Sequence, residues 1–285
     1  MDKFREKIPA FSGKKIVLLP IYLVVVVSAN LTILRLFYLL PMIIPSTGLL
    51  AILLPWVPVI GVILMEAIGI LLIYQMWSRK EKLKIKYGEL SYQKIFLSGF
   101  GGVAVILSLS IYNFISHFMW QTQFWTEYPF QIFTISLTSF MANLQIIFHI
   151  LGIIFSVFFV FLGLMMERRA IQIFGFDYMT VTYLYFPEES ELQDHKIYSL
   201  LRHPAYSGAI VICLGGVLLQ QNLYSILFFI IYYVGLYIHI HFVEEKELVQ
   251  RFGDSYINYR NEVPAFFVKP KNYFRFMKLI FGKTD

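Results

Sequence analysis

Long hydrophobic runs alternate with short polar stretches along the chain. Six of these runs have the length that a helix needs to cross the hydrocarbon core of a bilayer, about 17 to 25 residues. They cover roughly residues 16–40, 48–77, 94–118, 140–166, 205–221 and 223–243. The last two are separated only by the turn Gln220-Gln221-Asn222, so we expect them to form an antiparallel helical hairpin.

The composition agrees with a membrane protein. Hydrophobic residues make up 58% of the chain and charged residues 15%, whereas soluble domains are nearer about one half and one quarter. The sequence therefore predicts an all-α fold, a polytopic transmembrane helical bundle of about six spans. A shorter apolar piece, Pro129 to Ser139, leaves a seventh span open. The single cysteine, Cys213, excludes an intramolecular disulfide.

Lysines and arginines are distributed unevenly between the two sides of the predicted spans. The turns 41–47 and 119–139 hold none. The basic segments are residues 1–15 with five, 79–94 with six, 167–204 with four and the tail after Phe242 with eight. Because basic loops stay in the cytoplasm, both termini are predicted to be cytoplasmic. The net charge of +6 then indicates topology and attraction to anionic membrane lipids, and not nucleic-acid binding.

Two charged residues fall inside predicted spans, Arg35 and Glu66. Ionisable residues in a bilayer are energetically expensive and are functional candidates by default. The structural alternatives are an arginine whose side chain reaches the interface and a glutamate that is paired within the bundle. Their positions in the predicted spans put them at different depths, so we do not expect them to pair with each other.

The chemically distinctive residues are concentrated in the carboxyl-terminal third. The stretch LRHPAYSG, residues 201–208, joins a polar segment to the fifth span. His203 precedes a proline and should be extended, and Pro204 suits the first turn of a helix. Small residues in that helix would let a second helix or a ligand approach its backbone. They are Ala205, Gly208, Ala209, Gly215 and Gly216.

Acidic residues stand at the other end of the same hairpin. Glu244 and Glu245 fall where the sixth span leaves the membrane. An antiparallel hairpin brings the start of one helix beside the end of the other. We therefore expect His203 and Tyr206 to face the two glutamates at the cytoplasmic interface. A basic or neutral polar wall opposite an acidic wall suits a zwitterionic or cationic ligand.

The tail after the sixth span has hydrophobic residues at roughly helical spacing. They are Leu248, Phe252, Tyr256, Tyr259 and Val263. This pattern predicts an amphipathic helix that lies on the inner leaflet. Such a helix would cover the site from the cytoplasmic side.

The order of these motifs resembles the isoprenylcysteine carboxyl methyltransferase and phospholipid methyltransferase superfamily. The resemblance covers about residues 185–267. It rests on Tyr198, the RHPxYxG stretch from Arg202 to Gly208, the Glu244-Glu245 pair and the FGxxYxxYxxxVP tail from Phe252 to Pro264. Members of this superfamily are integral membrane enzymes that use S-adenosylmethionine. They methylate acceptors that are usually embedded in lipid.

The resemblance implies a cofactor site for S-adenosylmethionine. Its carboxylate side chains would pair with the ammonium group of the cofactor, while Arg202 or His203 would donate to the cofactor's carboxylate. The predicted catalytic residues are Glu245 and His241; the role of His241 as a base towards the acceptor is not implied by the resemblance. The residues implied for cofactor binding are Tyr198, Arg202, His203, Pro204, Tyr206, Gly208, Glu244 and Glu245.

Two positions depart from the family pattern. Lys196-Ile197-Tyr198 stands where the family often has Gly-Xaa-Tyr. His239-Ile240-His241 stands where carboxyl methyltransferases carry arginines that are expected to help hold an acceptor carboxylate. The acceptor is therefore left open among a prenylated cysteine, a phospholipid amine, a thiol and an isoprenoid. No metal is expected, although His241 with Glu244 or Glu245 has a spacing that can chelate one.

Two other functions compete with methyl transfer. A sterol-reductase-like oxidoreductase shares an RHPxYxG-like stretch and a similar VP ending but uses NADPH. The adjacent Glu244-Glu245 pair, and the lack of an obvious cluster for a nucleotide 2′-phosphate, favour methyl transfer over this alternative. The second alternative is a membrane scaffold or transporter with a degenerate form of the fold, and the near-complete motif argues against it.

The expected organisation has two parts. Residues 1–130 would form transmembrane helices that shape an acceptor cavity, and residues 131–285 would form the methyltransferase core. The cofactor site would face the cytoplasm. The expected partners are a hydrophobic or lipid acceptor and membrane lipids, with no nucleic acid and no obligate protein partner.

Overall fold

The regular structure of the described residues is helical. The computed structural model describes residues 2–11, 13–45, 47–119, 139–175, 178–183, 185–186 and 190–282. Within these residues no β-strand occurs. The predicted all-α helical bundle is therefore confirmed for the described part of the chain.

Eleven α-helices are present in the described part of the chain. The α-helices are α1 (Asp2–Lys7), α2 (Leu18–Ile43), α3 (Leu49–Leu53), α4 (Val57–Tyr87), α5 (Ser91–Met119), α6 (Ser139–Phe174), α7 (Pro204–Gln220), α8 (Leu223–His239), α9 (Glu245–Phe252), α10 (Asp254–Glu262) and α11 (Tyr273–Phe281). Short 3₁₀ helices cover Pro9–Phe11, Gly13–Val17, Leu54–Trp56, Gly88–Leu90, Lys196–Ser199 and Pro270–Asn272. π-Helical turns cover Tyr178–Tyr183 and Ile240–Glu244.

Each predicted span coincides with apolar helix. By length and composition, the described residues hold four helical stretches that are able to cross a membrane, Gly13–Ile43, Leu49–Ser116, Ile146–Phe174 and Leu223–Phe252. The second stretch contains two predicted spans, because α4 and α5 follow each other closely and pack side by side. α7 is apolar but has only 17 residues, about 25 Å of helix. These helices indicate an integral membrane protein, and the number of crossings stays a prediction.

Glycines bring the central helices into close contact. A Cβ atom added to Gly208 of α7 would lie 2.7 Å from the carbonyl oxygen of Gly163 on α6. A Cβ atom added to Gly216 would lie 2.7 Å from the backbone of Asn113 on α5. Distances this short leave no room for a larger residue. The small residues of α7 therefore let neighbouring helices approach its backbone.

α7 and α8 form the predicted hairpin. Gln221 ends α7 in a left-handed conformation, with φ 51° and ψ 38°. Asn222 caps α8, and its side chain accepts a hydrogen bond of 2.8 Å from the amide of Ser225, as N-cap residues commonly do. The start of α7 and the end of α8 consequently share the open end of the hairpin.

The tail after α8 differs from the predicted single amphipathic helix. α8 continues through a π-helical turn into α9, and the helix then breaks at Gly253. Gly253 has φ 56° and ψ −134°, a conformation that glycine adopts at little cost. α10 forms the second half of the predicted segment. α11, with Phe276 and Ile280 buried, was not predicted.

Some sequence predictions fall outside the described residues. Of the apolar piece from Pro129 to Ser139, only Ser139 is described, as the first residue of α6. The predicted boundary at residue 130 also lies outside them. The two-part organisation therefore stays a prediction.

Candidate active site

The candidate site lies at the end of the bundle where α7 begins and α8 ends. The basic segments meet at this end, because Lys80 of α4 lies 4.0 Å from Glu247 of α9 and Lys7 pairs with Glu89. We call it the basic end. It is the end for which the lysine and arginine distribution predicts a cytoplasmic position.

His203 lies between the two glutamates. Its Nε2 atom is 3.2 Å from Glu245 Oε1, and its Nδ1 atom is 3.6 Å from Glu244 Oε1. His203 adopts φ −125° and ψ 64°, outside the helical region, and Pro204 follows in the first turn of α7. All three ionisable side chains are buried. The predicted proximity of the RHP stretch to the glutamate pair is confirmed.

Arg202 connects the glutamate pair to the carboxyl-terminal tail. Its Nη2 atom lies 2.7 Å from Glu245 Oε1. Its Nη1 atom donates to the carbonyl oxygens of Arg260 and Val263, at 2.6 and 2.8 Å. Hydrogen bonds to charged groups are among the stronger ones in proteins. Arg202 therefore fixes the end of α10 over the start of α7, and most of its guanidinium is used within the protein.

Further hydrogen bonds hold the tail in place. Two backbone bonds of 3.0 and 3.2 Å join residues 202–203 to residues 264–265. The hydroxyl of Tyr259 donates to the carbonyl oxygen of Tyr198 at 2.6 Å. Burial raises the pKa of Tyr259 above its ordinary value, so the hydroxyl remains a donor. The ring of Tyr198 packs against Phe174, and its predicted contact with a cofactor stays a prediction.

Tyr206 and Gly208 have different surroundings. Tyr206 lies beside the Glu244 carboxylate, and its ring centroid lies 6.0 Å from that of His203. Gly208 packs against Gly163 and against Glu167 of α6. The structure therefore brings Tyr206 into the cluster as predicted, whereas the contacts observed for Gly208 are those of helix packing. Its predicted part in a cofactor wall stays a prediction.

Three buried polar atoms around this cluster have no hydrogen-bond partner in the described part of the chain. They are Arg202 Nε, His239 Nδ1 and the hydroxyl oxygen of Tyr256. Burial raises the pKa of Tyr256, with a further contribution from the Glu245 carboxylate. The ring of His239 lies 6.4 Å from that of Tyr206. Because buried polar atoms normally have partners, these three atoms are candidates for contacts with a polar ligand.

A cavity of about 270 Å³ opens beside the cluster. Its lining residues are Arg202, Tyr237, Ile240, His241, Glu245, Arg260, Ala265 and Phe266. The exposed ring of His241 stacks on Tyr237, with centroids 5.6 Å apart. Both predicted catalytic residues, His241 and Glu245, thus line one cavity, and their roles stay predictions. Among the described residues, no three histidine, cysteine, aspartate or glutamate side chains form a group that would hold a metal.

Lys196, which stands where the family often has glycine, has an unusual backbone conformation. Lys196 adopts φ 52°, a left-handed conformation that is uncommon for residues with a side chain. Glycine adopts such a conformation readily. The position at which the family often has glycine is therefore one where the backbone favours it.

Sequence reasoning did not assign His239 and Tyr256 to the site. For Tyr256 a signal was available, because this residue belongs to the FGxxYxxY tail on which the resemblance rests. For His239 the available signal was its place in the His239-Ile240-His241 stretch, where carboxyl methyltransferases carry arginines. The direction in which this side chain points depends on the rotation of α8 against α4 and α7.

The comparisons with known proteins agree with the resemblance seen in the motifs. Residues 147–255 match the family described as phospholipid methyltransferase. A curated relative, protein-S-isoprenylcysteine O-methyltransferase of Schizosaccharomyces pombe (strain 972 / ATCC 24843), is 39% identical over 69 residues, which are 24% of this chain and 29% of the relative. The chain therefore matches less than a third of that relative's length. No solved structure matches the chain.

The matched family segment runs from α6 into α10 and contains the whole cluster of Arg202, His203, Glu244 and Glu245. The resemblance to the superfamily of membrane methyltransferases is thereby confirmed for the carboxyl-terminal part of the chain. α2 to α5 lie outside the match.

Proposed function

We propose that this protein transfers a methyl group from S-adenosylmethionine to a hydrophobic or lipid-embedded acceptor. The observation that carries the proposal is the buried cluster of Arg202, His203, Glu244 and Glu245 at the mouth of the helical hairpin. Among the described residues, three buried polar atoms in and around the cluster have no hydrogen-bond partner. The same cluster lies within the segment that matches the phospholipid methyltransferase family. We further propose that this site faces the cytoplasm.

The residues present fit this cofactor. S-Adenosylmethionine carries an ammonium group, a carboxylate and a sulfonium cation. The Glu244 carboxylate can pair with the ammonium group, and the partnerless donors Arg202 Nε and Tyr256 hydroxyl can bind the carboxylate. Aromatic rings such as that of Tyr206 can hold a sulfonium cation. When bound, the cofactor supplies an activated methyl group.

The protein's own contribution is alignment and the exclusion of water. Arg202 fixes the tail over the site, while Arg202 and His203 together hold the Glu245 carboxylate in one position. Such fixed groups orient two reactants without further loss of freedom when they bind. We propose that His241, which lines the adjoining cavity, accepts a proton from the acceptor.

Transfer of labelled methyl groups tests this proposal. The purified protein in lipid nanodiscs is incubated with S-adenosylmethionine tritiated in its methyl group and a total lipid extract, and label is counted in the organic phase. We expect label to be transferred by the wild-type protein and by Glu262→Gln, a change of an exposed carboxylate. We expect His203→Ala and Glu245→Gln to abolish transfer. Oxidation of NADPH without methyl transfer would contradict the proposal and favour a reductase.

A further inference from the structure

The carboxyl-terminal helix α11 is apolar on two different sides. Phe276 and Ile280 are buried and belong to the same hydrophobic cluster as Leu201, the residue directly before the arginine of the RHP stretch. Phe274 and Phe281 lie seven residues apart and therefore on one face of the helix, where they are 86% and 46% exposed. Large aromatic rings exposed together indicate a second contact surface.

The exposed rings of α11 lie beside a helix that is able to cross the membrane. Phe281 stacks on Phe161 of α6, with ring centroids 6.0 Å apart and ring planes at 10°. Phe161 is itself 50% exposed and belongs to the apolar stretch Ile146–Phe174. Arg169 fixes the end of α11, because its Nε atom donates to the carbonyl oxygen of Ile280 at 3.0 Å. The exposed aromatic face is therefore held next to the lipid-facing surface of α6.

Basic residues surround this aromatic face. Between Glu262 and Asp285 the chain holds five basic residues and no acidic one. The Nη2 atom of Arg275 donates to Ser199 Oγ at 3.1 Å, and Lys269 donates to the carbonyl oxygen of Glu262. Both of these acceptors are neutral groups, so they leave the positive charges without compensation. The exposed basic residues are Arg168, Lys269, Lys271, Arg275 and Lys278.

The charges and the rings are separated in depth as a lipid surface requires. Arg168 follows Phe161 by seven residues on α6, which places it about 10 Å nearer the basic end. An interfacial helix buries its apolar face about 5–10 Å into the boundary between headgroups and acyl chains. Lysine and arginine side chains keep their charged ends in the polar layer above. The rings of Phe274 and Phe281 can therefore reach acyl chains while the cations stay at the level of the phosphates.

We propose that this surface binds anionic phospholipid in the leaflet at the basic end, as a structural ligand and not as the methyl acceptor. The surface, which we call the α11 face, consists of Arg168, Lys271, Phe274, Arg275, Lys278 and Phe281. An anionic headgroup carries a net negative charge that these cations attract, whereas the phosphate of a zwitterionic headgroup is neutralised by its own cation. Because α11 packs on the residues that lead into the RHP stretch, bound lipid also fixes that stretch relative to the membrane.

Titration with short-chain lipids tests the cationic part of the α11 face. Thermal unfolding of the detergent-purified full chain is followed with dioctanoyl phosphatidylglycerol, which is anionic, and with dioctanoyl phosphatidylcholine, which is zwitterionic. A ligand that binds only the folded state raises the unfolding temperature. We expect the anionic lipid alone to raise it. A triple variant should need at least tenfold more of this lipid for the same rise, and it combines Lys271→Gln, Arg275→Gln and Lys278→Gln.

A matched control removes the same number of charges elsewhere at the basic end. The exposed lysines around the connection between α4 and α5 serve for this purpose. We expect this control to respond to phosphatidylglycerol as the wild type does. It combines Lys82→Gln, Lys86→Gln and Lys94→Gln.

A fluorescent label tests the aromatic part of the α11 face. In a Cys213→Ala background, Phe274→Cys is labelled with bimane and placed in nanodiscs whose phosphatidylglycerol carries a doxyl quencher near the top of its acyl chain. Ile85→Cys is the control, because Ile85 is 87% exposed and lies eight residues beyond the second predicted span. We expect the label at Phe274→Cys to lose most of its fluorescence and the label at Ile85→Cys to keep it.

Equal stabilisation of the wild type by the two lipids would overturn the inference, because the charge of the headgroup would then be irrelevant. An equally weakened response of both triple variants would overturn it as well, since net charge alone would explain such a result. Fluorescence at Phe274→Cys that is no more quenched than at Ile85→Cys would place the ring outside the acyl layer and would also contradict the proposal.

Discussion

Tyr256 and Tyr259 lie three residues apart on α10, and the surroundings of their hydroxyl groups differ. Tyr259 donates to the carbonyl oxygen of Tyr198, whereas the hydroxyl of Tyr256 has no partner in the described part of the chain. A buried polar group without a partner costs about 1–3 kcal/mol. The unpartnered hydroxyl of Tyr256 therefore lowers the stability of the ligand-free protein, and a bound ligand can supply its partner.

The two tyrosines should respond differently to the same change. Tyr256→Phe should leave the unfolding temperature of the ligand-free protein unchanged or higher, and should weaken S-adenosylhomocysteine binding about tenfold, the loss of one hydrogen bond to a charged group. Tyr259→Phe should lower stability by about 1 kcal/mol with little change in affinity. Thermal unfolding and equilibrium binding of both variants check this. Equal effects of the two changes on both measurements would contradict it.

At the scale of helices, the glycines of the RHPxYxG region act in packing. Gly208 and Gly163 oppose each other across the contact between α7 and α6, and each would place a Cβ atom against the other's carbonyl oxygen. Gly215 also faces α6, where an added Cβ atom would lie 2.9 Å from the side chain of Val160 and 3.1 Å from the carbonyl oxygen of Ser156. A side chain can rotate away, whereas a backbone carbonyl cannot move without displacing its helix.

Substitutions at these glycines should therefore differ in severity. Gly208→Ala should lower the stability of the ligand-free protein by about 1–3 kcal/mol, the usual cost of overpacking a core. Gly215→Ala should cost less, because Val160 can adjust and the carbonyl oxygen of Ser156 lies 3.1 Å from the added Cβ atom, compared with 2.7 Å for the carbonyl oxygen of Gly163 at Gly208. Thermal unfolding of the ligand-free variants is the measurement. If Gly208→Ala weakened S-adenosylhomocysteine binding without any loss of stability, Gly208 would line the ligand pocket and the packing account would be wrong.

The helical elements were predictable to different degrees. The apolar runs and the short turn at Gln220–Asn222 gave the spans and the α7–α8 hairpin, because crossing a bilayer demands a minimum length of apolar helix. The break at Gly253 was missed. The hydrophobic spacing from Leu248 to Val263 continues across it, and a periodicity carries no information about a residue with positive φ. The segment therefore looked like one helix and is two.

The sequence predicted the candidate site only for motif residues that lie at the two ends of the helical hairpin. His203 and Glu245 could be placed together because the hairpin brings its two ends into contact. The clamp by Arg202 on the carbonyls of residues 260 and 263 was not predictable, since backbone acceptors leave no trace in a sequence. The surroundings of His239 were not predictable either, because they are formed by residues distant in the chain.

At the scale of the whole molecule, the amino-terminal helices and the matched segment share one core. Leu34 of α2, Met65 of α4 and Tyr112 of α5 belong to the same buried cluster as Cys213 of α7 and Tyr232 of α8. The helices outside the family match therefore border the hairpin that carries the site. Changes in α2 to α5 are consequently able to alter the acceptor side of the site without touching the motif.

The predicted orientation of the molecule is testable with engineered cysteines. In a Cys213→Ala background, Lys86→Cys and Lys271→Cys should react with a membrane-impermeant maleimide only after the cytoplasmic face is exposed. Thr47→Cys should react in intact cells, because the residues around it form a turn without basic side chains. All three positions are exposed. Labelling of Lys271→Cys in intact cells would reverse the orientation.

The central claim, that the cluster containing Glu245 is a cofactor site, is tested most directly by equilibrium binding of S-adenosylhomocysteine. The purified wild-type protein is compared with Glu245→Gln. Glu262→Gln, which changes an exposed carboxylate, is the control. Because Glu245 holds both Arg202 and His203 in place, binding should fall at least tenfold in Glu245→Gln and stay unchanged in Glu262→Gln. Folded wild-type protein that does not bind S-adenosylhomocysteine, or a Glu245→Gln variant that binds it as tightly, would contradict the assignment of this cluster as a cofactor site.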